Sequence, residues 1–177
     1  MPSQPRFVAH PKNMACLGVH FAITDEDLAA LRQSGSDEAL RGVIEGIEER
    51  WEEADGFVCE TEKAWDAIHR CLTDGALSFE NGAEPLRLCI LGGEQLYRGD
   101  DYIVTLVHHS QLRALAGALT AITPRFIGER YSQLSEDYPI PKSQEDCQYT
   151  WDWFSGLPPF FAHAEKAGRH VIFTVDQ

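Results

Sequence analysis

Apolar and polar positions fall in blocks along this chain, and the spacing within each block points to an element. Between residues 37 and 54, Leu40, Val43, Ile44, Ile47 and Trp51 recur at steps of three and four, on one side of a helix. Glu45, Glu48, Glu49, Glu52 and Glu53 occupy mainly the other side. Ser36 stands at the capping position and Gly56 where the helix should stop. Before it, "ACLGVHFAIT" (15–24) is a short run of branched and aromatic residues and reads as a strand. Thr24 then caps a helix, with Asp27 three residues on as a capping box and Leu28 and Leu31 inward.

The same reading continues to the C-terminus. "GFVCE" forms a short strand or an extended link. A helix follows over 61–75, capped by Thr61, with Trp65, Ile68, His69 and Leu72 on its inner stripe. Lys63, Asp66 and Arg70 lie round the other side, Asp66 and Arg70 at ion-pair spacing. "LRLCILGG" predicts a buried strand ended by a tight glycine turn, and "DYIVTLV" (101–107) another strand. Ser110 caps a helix with Leu112, Leu115, Ala116, Leu119 and Ile122 inward. Thr123-Pro124 opens the next, with Phe126, Ile127, Tyr131 and Leu134 on its apolar side. After the loop "EDYPIPK", a helix starts at Ser143, Pro158 and Pro159 break and reopen it, and Gly168 ends it before the last strand, "HVIFTVD" (170–176). The aromatic cluster 149–161 reads as a docking face for that helix pair. Helices among strands without a regular βαβ rhythm predict an α+β fold, a mixed, mainly antiparallel sheet with packed helices. A doubly wound parallel sheet is the alternative, and its phosphate-binding glycine loop is missing.

At 177 residues the chain suits one domain. No apolar run reaches the roughly 18 residues a membrane span needs, and "MPSQPRFVAHPKN" carries no signal-peptide pattern. Residues 1–13 therefore read as a flexible N-terminal extension and 14–177 as the domain. Five scattered cysteines with no Cys-x-x-Cys pair predict free thiols in a reduced, cytoplasmic protein. A formal charge of −13 argues against nucleic acid and against anionic membrane surfaces. Segment 36–66 holds eleven acids and three bases, a net of −8, which reads as a solvated face or as a docking face for a basic protein partner.

Chemistry is sparsely signalled. The glycine pair of "ILGGEQLYRGDDY" belongs to no nucleotide-binding motif, and Glu94, Asp100 and Asp101 after it would repel an anion. His108 and His109 are adjacent at a strand end and point to opposite faces, so no metal is expected, and no cofactor either. There is no G-x-S-x-G elbow, and Cys71 lies about 200° round the helix from His69. The candidate pocket residues are Lys63, Trp65, His69 and Glu94. They would serve either a non-catalytic binding or interaction domain, in its concrete form an acidic inhibitor or immunity-type protein, or a hydrolase-like small-molecule enzyme in which Lys63, His69 and Glu94 converge on one cleft.

"MACLGVHFAIT", "EKAWDAIHRCLTDG", "PLRLCILGGEQL" and "FFAHAEKAGRHVIFTV", in that order, resemble the DUF1877 family of small bacterial proteins of unknown function. The resemblance runs from about Met14 to the C-terminus. It implies an α+β cytoplasmic domain that begins near Met14, and brings no catalytic residues with it.

Overall fold

The computed structural model describes residues 16–50 and 56–177; the expectations for residues 1–13, Trp51, Glu52 and Glu53 lie outside them. In chain order the elements are β1 Gly18–Ile23, α1 Asp25–Gln33, α2 Asp37–Glu49, β2 Val58–Glu62, α3 Trp65–Leu72, a 3-10 turn Leu86–Cys89, β3 Glu94–Gln95 and β4 Tyr102–Val107. Then follow α4 His109–Thr120, α5 Pro124–Ser132, α6 Gln144–Phe154, α7 Leu157–Lys166 and β5 His170–Asp176. The five strands form one sheet in the order β2-β1-β5-β4-β3, with every neighbouring pair antiparallel. This is an α+β fold, and the parallel alternative is excluded.

Strand alternation divides the interior into two halves. Phe21 and Ile23 of β1, Tyr102, Val104 and Leu106 of β4 and Ile172 of β5 face α1 and α2, against Leu31, Leu40, Ile44 and Ile47. Ala22, Val107, Val171, Phe173 and Val175 face the other way, towards a larger layer built from α3 to α7. The sheet is therefore covered on both sides. The side carrying α3 to α7 forms the candidate site described below.

Several caps follow the local sequence. Thr24 and Asp27 make a reciprocal capping box, and the hydroxyls of Ser36, Thr123 and Ser143 each accept the N–H three residues on. Two do not. Thr61 belongs to β2, where its hydroxyl donates to the Gly18 carbonyl at 3.2 Å, so α3 begins only at Trp65. Ser110 lies inside α4, whose cap is His108, with the Gln111 side chain accepting the His108 N–H.

The largest departure is at "LRLCILGG", which is a 3-10 turn and a loop, not a strand. Two side chains hold its backbone: the Thr105 hydroxyl donates to the Ile90 carbonyl at 2.6 Å, and His20 Nε2 bonds the Cys89 carbonyl at 2.8 Å. Glycine is needed at both following positions. A Cβ on Gly92 would lie 2.4 Å from the Arg87 carbonyl oxygen, and one on Gly93 would lie 2.5 Å from that of Leu106. The glycine pair thus serves backbone packing against the chain itself.

Candidate functional site

Trp65 is the first residue of α3 and 6% exposed. Its indole N–H donates to the Cys16 carbonyl at 3.1 Å, and its ring tilts against Phe173 at 6.0 Å. Its remaining edge is one wall of a cleft of about 560 Å³, large enough for a small ligand or two bulky side chains. Leu91 and Ile103 also line this cleft, Leu77 and Phe79 stand on another side, and Gln95, Tyr97, Arg98, Asp100 and Gln177 supply its polar positions. Leu77 is 39% exposed, one of two large exposed apolar side chains among the described residues, and it lies at this site.

A polar knot positions the Leu77–Phe79 side. His69, buried at 1% exposure, sets Nε2 within 2.8 Å of the Ser78 carbonyl and 3.0 Å of Asn81 Oδ1. Both partners are acceptors, so Nε2 carries the proton. Burial lowers the His69 pKa, which keeps the ring neutral as this arrangement requires. Asn81 Nδ2 in turn donates to the Thr73 hydroxyl, the Ala76 carbonyl and Asp74. Arg70, expected on the outer side of α3, is instead 4% exposed. It pairs with Asp66 at 2.5 Å and Asp137 at 2.9 Å and donates to the Gly75 carbonyl.

The opposite rim is the β3–β4 hairpin. The Asp37 carboxylate of α2 accepts the backbone N–H of Arg98 at 3.1 Å and of Gly99 at 2.9 Å. The Tyr97 hydroxyl donates to Asp101 and accepts from Arg41. Arg41 also reaches Asp101 and Asp176 and lies 4.3 Å from the centre of the Tyr102 ring. The hairpin is thereby tied to α2 on the far side of the sheet.

The four expected pocket residues are not assembled together. Trp65 lines the cleft; Lys63 is exposed in the turn before α3 and His69 is sealed behind the Ser78 loop. Glu94 lies on the other face of the sheet. It pairs with Leu106, which faces α1 and α2, and its carboxylate binds Arg32 of α1 and approaches His108 at 3.3 Å. The Arg32 hydrogen bonds hold the Glu94 carboxyl below its ordinary pKa. The expected convergence of Lys63, His69 and Glu94 is therefore not formed, because a strand's alternation sends Glu94 and the α3 side chains to opposite sides. Sequence reasoning passed over Leu77, Phe79, Gln95 and Arg98. The available signal was two large apolar residues inside the turn-rich stretch 73–85.

Burial pushes Cys59 and Cys71 up to about 12 and Cys89 well above its ordinary value. Among the described residues no three His, Cys, Asp or Glu side chains are placed to share a metal ion. No described helix is long and apolar enough to cross a membrane.

A family model described as a domain of unknown function, DUF1877, matches residues 14–174. No curated protein matches the chain. The fold is similar to the crystal structure of YfbM from Escherichia coli, a protein of unknown function, with a TM-score of 0.59 and 20% identity over 90% of this chain and 99% of that one.

Proposed function

This chain belongs to the DUF1877 family, and from that premise we propose that it is a non-catalytic interaction domain that docks a basic protein partner at the Trp65 cleft. The cleft carries the reading: a hollow walled by Trp65, Leu91 and Ile103 with an exposed leucine at its edge. Its charged surroundings supply the choice of partner. The chain carries a formal net charge of −13, and Asp74, Glu80, Glu84 and Asp100 in the segments beside the cleft are exposed, with Arg98 in its lining. On α2, Glu38, Glu45 and Glu49 are exposed as well. An inhibitor or immunity-type role, in which an acidic surface covers a basic one, is the concrete form of this reading.

The test is affinity capture from cell extract with the wild-type chain and with Leu77→Asp, which places a charge at the edge of the cleft. A basic protein retained by the wild type, released as salt rises and absent from the variant is the expected result. Identical retention by both proteins would remove the cleft from the reading, and elution indifferent to salt would remove the basic partner. Glu45→Gln with Glu49→Gln separately measures what the α2 face adds.

A further inference from the structure

The β3–β4 hairpin specifies how a partner would engage, an inference that rests on the binding reading above. In the ladder, Leu96 N–H donates to the Val104 carbonyl at 2.9 Å, and Gln95 stands opposite Thr105. Neighbouring residues of a strand direct their backbone groups to opposite edges, so Gln95 turns its N–H and C=O away from β4. β3 ends the strand order, so among the described residues no strand lies beyond it. The Gln95 side chain shares the face of Thr105 and Ile103, which is the cleft side. Among the described residues this donor and acceptor have no backbone partner, and they lie beside the cleft on the same residue.

We propose that the site takes an extended polypeptide segment that adds to the sheet antiparallel to β3, with one large apolar side chain in the cleft. The residue opposite Gln95 would exchange both backbone bonds with it and turn its side chain to the same face, against Trp65, Leu77 and Ile103. Residues two positions to either side share that face. The formal net charge of −13 and Asp100 in the cleft lining favour lysine or arginine there, against Arg98 as the one base in that lining among the described residues. The ligand class is therefore a strand with an apolar residue bracketed at two-residue spacing by bases.

The probe is the peptide acetyl-Lys-Thr-Phe-Thr-Lys-amide, titrated calorimetrically into the full chain, with the Trp65 indole N–H followed by NMR. Binding is expected, lost when Phe becomes Ala in the peptide. N-methylation of the Phe nitrogen should weaken it roughly tenfold, and N-methylation of the two Thr nitrogens should not. The reverse pattern would overturn the antiparallel sense proposed here. Gln95→Pro, which removes the outward N–H and no bond to β4, should weaken binding similarly, and Gln95→Ala should not. Equal affinity of all N-methylated forms, or full affinity in Gln95→Pro, overturns strand addition. If dependence on Phe persists in that case, the interaction reading still stands. Absence of any peptide binding overturns the inference here, and the Leu77→Asp capture then decides the broader reading separately.

Discussion

His20 shows how one buried side chain sets a pH dependence. It is fully buried among Phe160, Phe161 and Phe173, and burial lowers its pKa to about 4 from an ordinary 6.5. In this window the unfolded chain binds the proton and the folded chain does not, so stability falls as the pH is lowered. The loss approaches about 3 kcal/mol for this group by pH 4. His69, also lowered by burial, acts in the same direction. Urea unfolding of His20→Leu between about pH 7 and pH 4 should give a flatter profile than the wild type, with a cost of about 1–3 kcal/mol near neutrality for the unpaired Cys89 carbonyl. An unchanged slope would show that His20 is not the titrating group. At this scale the sequence was informative where the bond is local. Caps at Thr24, Ser36, Thr123 and Ser143 reach only three residues along the chain. Thr61 and Ser110 have the right chemistry for caps, but a strand claims the first and the end of β4 sets the helix cap two residues before the second.

Single elements separate glycines that must be glycine from those that need not be. Gly42 and Gly46 lie inside α2, and a Cβ at either meets nothing within 4 Å. Changing each to Ala should stabilise the protein by about 0.5–1 kcal/mol, since the helix no longer carries glycine's backbone entropy. Gly92→Ala should do the opposite, by at least about 1–3 kcal/mol, because the new carbon meets a carbonyl oxygen that the loop cannot easily move. Denaturant midpoints of the three variants check both signs together. The loop 73–82 provides a second test. Asn81→Ala removes its bonds to Thr73, Ala76 and His69. It should cost about 1–3 kcal/mol and speed amide exchange locally around Leu77–Phe79, weakening peptide binding without altering exchange in β5. Helix periodicity was legible because α2, α4 and α5 repeat their apolar step over several turns. "LRLCILGG" was not, since an apolar run of that length fits a strand or a buried loop equally well. What decides between them is the hydroxyl of Thr105, fifteen residues beyond Ile90.

The whole molecule has a sheet between two layers, and that arrangement decides which charges can act together. An α+β architecture with a mainly antiparallel sheet was readable from the order of elements, but the cleft was not. Its lining runs from Trp65 to Gln177, and only folding brings the 77–79 loop against the β3–β4 hairpin. The same folding places Glu94 with Arg32 and His108, away from His69. A global charge of −13 then acts on two equilibria with opposite signs. Exposed pairs such as Arg32–Glu94 and Arg125–Glu129 contribute little individually, whereas an excess of acids over the entire surface repels itself. Adding sodium chloride should therefore raise the urea midpoint as repulsion is screened over about 10 Å or less. Across the same salt series, affinity for the lysine-bearing peptide should fall, because its attraction to the acidic chain is screened too. Measuring both on one set of samples separates the effects: a midpoint that drops with salt would mean that the ion pairs outweigh the surface excess. Affinity that ignores salt would mean that the cleft selects its ligand by shape and backbone pairing alone.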